Sequence, residues 1–228
     1  MNKKLVIAID GPSASGKGTL AKKIAQYFDL AYLNTGAIYR AVALKMIAQK
    51  ISFDDFESNI PNLVADISEA DFEKEELFDE EVGATASIIA KSFKLRDALF
   101  KFQKNFVEEG KKNKNGCVLD GRDTTTIICP DADFKFFITA DVEIRAKRRS
   151  NQLGFDKYLE ILEQLKKRDE NDFNRAIAPL KIADGAFIIN NGNLTIEEGF
   201  QQVLQIINSK SILIYEKISP FCCNPDII

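Results

Sequence analysis

The chain has 228 residues, 45 % of them hydrophobic and 29 % charged, with a net charge of −3. That length suits one large domain, or one domain carrying a sizeable insertion, and the lack of a basic excess disfavours a nucleic-acid or membrane-surface partner. No histidine occurs, so histidine triads and histidine-ligated metals are excluded, and Cys117, Cys129, Cys222 and Cys223 lack the spacing of a disulfide framework.

In chain order, "KLVIAID" (4–10) reads as a buried parallel strand rather than the apolar core of a signal peptide. The glycine-rich "GPSASGKGT" follows. "KGTLAKKIAQYF" (17–28) is an amphipathic helix with Leu20, Ile24, Tyr27 and Phe28 on one face. "LAYLNTG" (30–36) is a short strand and turn, and "AIYRAVALKMIAQK" (37–50) a helix. Residues 51–80 are acidic without clear period and predict an irregular or small helical excursion. Two helices follow, over 81–92 and 94–112, the second with Leu95, Leu99, Phe102 and Phe106 as a core stripe. "CVLDGRD" (117–123) and "DFKFFITAD" (133–141) are strands. Two charged helices begin at "VEIRAKRRSNQ" and "KYLEILEQLKKRDENDFNRA". A final strand (185–192) leads to a helix over 195–209, capped by Thr195 with Glu198 three positions on.

Five short strands alternating with helices predict an α/β fold: a five-stranded parallel sheet with helices on both faces. In such sheets ligands collect beyond the carboxyl ends of the strands, which brings "GPSASGKGT", "NTGAIYR" and "DGRDTTT" to one edge. A glycine loop between a buried strand and a helix is a phosphate cradle. Backbone N–H groups of Gly11, Pro12, Ser13, Ala14, Ser15 and Gly16 (Pro12 excepted) and the helix start would wrap the phosphates of ATP, with Lys17 bridging β and γ. Gly18 replaces the usual hydroxyl after the lysine, leaving Thr19 or water to serve Mg²⁺. Of 31 basic residues only eight are arginine, which suggests that the planar fork is reserved for bidentate anion contacts.

Taken together, "GPSASGKGTLAKKIA", "YLNTGAIYRAVAL", "EVGATAS", "VLDGRDTTT", "RDENDFNRAIAPL" and "FIINNGNLTIEEG", in that order over about residues 4–208, resemble the bacterial-type cytidylate kinases, a nucleoside monophosphate kinase group of the P-loop NTPases. The resemblance implies transfer of the γ-phosphoryl of ATP to CMP, with dCMP as a further acceptor, in pyrimidine metabolism. It implies that Arg40, Arg122 and Arg175 hold the acceptor phosphate, and that Ser87, Arg96 and Asp123 read cytosine. Thr35 and Tyr39 would line the acceptor and Asp172 would meet the ribose. Arg145, Arg148, Arg149 and Arg168 fall in the region resembling the lid, with Arg148 and Arg149 assigned to ATP. Lys17, Arg122, Asp123 and Arg175 form the catalytic set. The implied organisation is a core of 1–50, 116–140 and 176–209, an inserted acceptor-binding part over 51–115, a lid over 141–175 and an extension over 210–228. A cytoplasmic monomer is the expectation.

The residue chemistry agrees. An acceptor phosphate needs no strong base; it needs cancelled repulsion and alignment. Asp123 can accept from the N4 amino group that uracil lacks, worth about 1–3 kcal/mol if left unpaired. An alcohol acceptor would instead want a free carboxylate base, with Asp120 or Asp123 as candidates. A non-catalytic nucleotide-binding regulator is the other alternative. Two departures from the family pattern bear on the loops: Thr125 stands where a glycine is common, predicting strain if that glycine has positive φ, and residues 66–80 are shorter than the family's hairpin.

Overall fold

The computed structural model describes residues 4–65, 67–153 and 157–218. β1 (Leu5–Asp10), β2 (Ala31–Asn34), β3 (Gly116–Gly121), β4 (Phe134–Thr139) and β5 (Phe187–Asn190) form a parallel sheet in the order β2-β3-β1-β4-β5. The apolar residues of β1 alternate between two cores, as strand geometry demands. Val6 and Ala8 face a cluster with α2 (Thr35–Ala48), α3 (Phe56–Ala65), α4 (Glu80–Ile89) and α5 (Phe93–Asn113). Ile7 and Ile9 face α1 (Lys17–Phe28) and α8 (Ile196–Ile218). Helices therefore cover both faces, and β1 and β3 are buried along almost their whole length.

Asp10 pairs in register with Gly121, and Asn34 with Asp120, so the chain leaves β1, β2 and β3 at one edge. α6 (Val142–Leu153) and α7 (Tyr158–Asn174) pack together as a separate hairpin with its own small core of Ala146, Ile161 and Leu165. The acidic stretch 51–80 holds α3 and two 3₁₀ turns, Glu69–Glu73 and Glu75–Phe78.

Several details differ from the sequence expectation. Thr35 and Gly36 open α2 rather than a turn, because the Asn34 side chain caps the helix by accepting from Ala37 N at 3.1 Å. Tyr27 is 62 % exposed, its ring set edge-on to Phe28 and Phe200 instead of buried. The last helix continues to Ile218, since neither glycine nor proline interrupts the chain between Gly199 and Pro220. Cys222, Cys223 and the prolines of the extension lie outside the described residues. The capping box is as expected: Thr195 N donates to Glu198 Oε2 (2.8 Å) and Glu198 N to Thr195 Oγ1 (3.2 Å).

Candidate active site

The glycine loop is shaped by two positions that reject a side chain. At Gly11 a Cβ would sit 2.0 Å from the Ile138 carbonyl oxygen; at Gly16, with φ of +89°, it would sit 2.4 Å from Asn191 Nδ2. Lys17 returns over the loop and donates to Pro12 O at 3.1 Å. Burial pushes its amine down to about 7, with Arg122 adding to the fall and Asp120, Asp172 and Asp10 opposing it. Gly18 faces Tyr32 Oη and Asp120 Oδ2, and Tyr32 donates to that carboxylate at 2.6 Å. Thr19 is exposed in the first turn of α1.

Beyond β2 and β3 the cations are held by carboxylates. Arg122 Nε donates to Asp172 Oδ2 at 2.7 Å, and Arg175 lies 3.7 Å from Asp172 Oδ1. Burial lowers the Arg122 guanidinium, but Asp172, Asp120 and Asp10 outweigh it and raise it above its ordinary value. Asp172 is held low in turn, Arg122 and Arg175 overcoming its burial. Arg96 Nη1 donates to Asp123 Oδ2 at 2.8 Å, with side chains only 11 % and 7 % exposed, and its Nε donates to Ala90 O. The same guanidinium lies 5.4 Å from the centre of the Tyr39 ring, whose hydroxyl burial pushes up to about 12. Thr35 Oγ1 donates to Asp120 O at 2.9 Å. Ser87 is half-buried on α4, one turn before Ala90 and Lys91. A groove of about 530 Å³ opens beside Arg175, lined by Lys91, Lys167, Asn171 and Asn174.

A third group of arginines rests on main-chain carbonyls. Arg40 donates to Leu77 O, Arg149 to Phe78 O (3.4 Å) and Arg168 to Gly83 O (3.4 Å). α2, α6 and α7 thus reach one segment, 77–83. Gly83 leaves the room, since a Cβ there would lie 2.8 Å from an Arg40 nitrogen and 2.9 Å from an Arg168 nitrogen. Burial, together with Arg168, Arg149 and Arg122, lowers Arg40 to about 10. Arg145, almost fully buried, bridges Ser13 O (3.0 Å) and the Asp169 carboxylate. Arg148 is committed to Asn191 O (2.6 Å), Gly192 O (3.0 Å) and Leu194 O (3.4 Å), and reaches the glycine loop only through Asn191.

The sequence-predicted residues thus fall into two linked sets at one sheet edge, the glycine loop with Lys17 and the carboxylate-held arginines 96, 122 and 175, while Arg40, Arg148 and Arg149 rest on main-chain carbonyls beside them. The cytidylate kinase family model matches residues 7–209. The chain belongs to the cytidylate kinase family. A cytidylate kinase of Bradyrhizobium sp. (strain ORS 278) is 39 % identical over 209 residues, covering 90 % of this chain and 96 % of that protein. One of Bartonella tribocorum is 43 % identical over 205 residues, covering 87 % and 92 %. Among solved structures, an uncharacterized protein from Eubacterium ventriosum superposes with a TM-score of 0.53 at 18 % identity, over 91 % of this chain and 99 % of that one, a likeness of fold alone.

Within this cytidylate kinase chain, three residues matter that sequence reading passed over. Asp10 ends the apolar β1 fully buried, and a charge closing such a strand was the available signal. Asn191 Nδ2 donates to Ser15 O at 2.9 Å and braces the loop from β5; the doubled asparagine after "FII" gave a weak hint. Tyr32, on an edge strand, had no signal. At Thr125 the condition for strain is not met, since the residue does not have positive φ. Ser15 Oγ, Thr124 Oγ1 and Arg175 Nη2, one in each of three motifs, are buried without a hydrogen-bond partner among the described residues. Polar atoms left so commonly mark where a ligand or water binds.

Proposed function

We propose that this chain transfers the γ-phosphoryl group of ATP to CMP, and also to dCMP, giving ADP with CDP or dCDP in pyrimidine nucleotide metabolism. The observation that carries the reading is the buried line Lys17, Arg122, Asp172, Arg175, which runs from the glycine loop to the Arg96–Asp123 pair. Residues 11–19 cradle the ATP phosphates and Lys17 supplies charge between β and γ. Arg40, Arg122 and Arg175 receive the acceptor phosphate, so that two polyanions meet in line with their repulsion cancelled. Asp172 orients both Arg122 and Arg175 and meets the ribose. Arg96 and Asp123 present a donor and an acceptor to the base, with Ser87, Thr35 and Tyr39 around it. Arg149 serves the ATP phosphates from the lid over 141–175, and Arg148 serves ATP by bracing the loop at 191–194. The acceptor side is the insertion over 51–115.

Among the described residues no group of three acidic or cysteine side chains forms a metal cage. The buried Asp120 carboxylate and the Thr19 hydroxyl beside the loop suit an ion carried mainly by phosphate and water, as Mg²⁺ prefers. Bound with ATP, Mg²⁺ would neutralise charge on the β and γ oxygens. An alcohol acceptor is less well served: Asp120 accepts from Tyr32 and Asp123 from Arg96, which leaves neither as a free base. No described helix is long and apolar enough to cross a membrane. A cytoplasmic monomer without nucleic-acid or membrane partners fits the acidic charge and the free thiols of Cys117 and Cys129.

The test is a coupled assay with ATP against CMP, dCMP, UMP and AMP. CMP and dCMP should turn over well, and UMP at least about tenfold less efficiently. Equal turnover of UMP would remove the base-reading assignment; nucleotide binding without CDP would favour a regulator.

A further inference from the structure

The Asp10 carboxylate is fully buried immediately before Gly11, and its three side-chain hydrogen bonds all come from one place. Thr124 N donates to Oδ1 at 2.9 Å, Thr125 N to Oδ2 at 2.8 Å, and the Thr125 hydroxyl to Oδ2 as well. Burial raises the carboxyl, and the Thr125 hydroxyl is the first of the groups holding it down. These bonds fasten the strand end that launches the glycine loop to the turn directly after Arg122 and Asp123. That turn, Thr124–Ile128, is a single π turn, with Ile127 N and Ile128 N on Asp123 O at 2.8 and 3.2 Å and Cys129 N on Thr124 O at 2.7 Å. Such wide turns are rare and cluster at functional sites.

We propose that Asp10 and the Thr125 hydroxyl form a positioning lock that sets the Arg122–Asp123 loop against the phosphate loop. The proposal rests on the phosphoryl-transfer reading and assigns neither residue a contact with substrate. The hydroxyl bond is one that a glycine at position 125 could not make. Because Arg122 and Asp123 immediately precede the bonded amides, loosening the turn shifts the acceptor-side groups relative to Lys17, and small misplacements of reacting groups are expensive in rate.

The experiment uses the full chain and three variants. Thr125→Val keeps shape and removes the hydroxyl, Thr125→Ser keeps the hydroxyl, and Asp10→Asn weakens the acceptor. Assays run at a temperature well below every variant's unfolding midpoint. The expected result is kcat about tenfold lower in Thr125→Val with KM for ATP nearly unchanged, and recovery to within about twofold in Thr125→Ser. Asp10→Asn, if it folds, loses more than Thr125→Val. A Thr125→Val enzyme within twofold of the parent, or a Thr125→Ser enzyme equally impaired, overturns the lock. Amide exchange at Thr124 and Thr125 gives a readout independent of turnover: protection should fall in Thr125→Val and return in Thr125→Ser. If the parent chain transfers no phosphoryl group, the kinase reading fails, and unchanged protection in Thr125→Val separately overturns the lock.

Discussion

The glycine-loop lysine and the arginines 96, 122 and 175 across the cleft are held in opposite ways. Around the loop, Lys17 has a single carbonyl partner among the described residues, and its amine is pushed down to about 7 by burial. Across the cleft, Arg122, Arg175 and Arg96 are clasped by Asp172 and Asp123, and Arg122 is raised rather than lowered. Arginine stays charged and is aimed by its carboxylate, whereas lysine is a compact point charge whose protonation follows its surroundings. Arg122, Arg175 and Arg96 are thus charged before any substrate arrives, while on the proposed reading Lys17 would take up its proton when phosphates bind.

Breaking the loop half should have the largest effect. Lys17→Ala is expected to lower kcat by about a thousandfold, through lost charge at the transferring group, with the thermal midpoint unchanged or higher because a desolvated amine is removed. Next comes Arg175→Ala, with kcat down by roughly a hundredfold or more. Should both variants keep near-parental rates in the coupled assay, the cleft is elsewhere. Arg96→Ala should chiefly raise KM for CMP by about tenfold and narrow the CMP-to-UMP preference, while leaving KM for ATP alone; unchanged base preference would separate Arg96 from base reading.

Protonation sharpens the comparison further. The folded pKa of Lys17 lies below its ordinary value of 10.5, so between about 7 and 10.5 the unfolded chain holds the extra proton. Charging this amine thus opposes folding below pH 7, and that penalty fades as pH climbs from 7 toward 10.5. On the proposed reading, bound ATP phosphates would restore the charge. Calorimetry at pH 8.5 in buffers of different ionisation enthalpy should record uptake of about one proton on nucleotide binding, and none in Lys17→Ala. Smallest of all, Arg148→Ala should raise KM for ATP only a few-fold with kcat retained, since its guanidinium touches the loop after β5.

The sheet, the glycine loop and the arginine motifs were legible because each depends on local sequence: buried β-branched runs, required glycines, and a planar side chain used sparingly. What escaped depends on meeting across the sheet. Asp10 finds Thr125, Tyr32 finds Asp120 and Asn191 finds Ser15 only after β1, β2, β3 and β5 have paired. The three carbonyls at 191–194 that receive Arg148 likewise have no signal in the sequence around it. The backbone at Thr125 was not legible either, because a family's glycine says nothing about the φ that this chain adopts.

The carbonyls of Leu77, Phe78 and Gly83 that receive Arg40, Arg149 and Arg168 have one more consequence. If Arg40 and Arg149 meet the nucleotides as proposed, they and Arg168 have uncharged oxygens of their own chain to rest on when the cleft is empty, so none of the three would be left as a bare cation in a dry interior. Such a resting berth would blunt the electrostatic grip that otherwise retains the product.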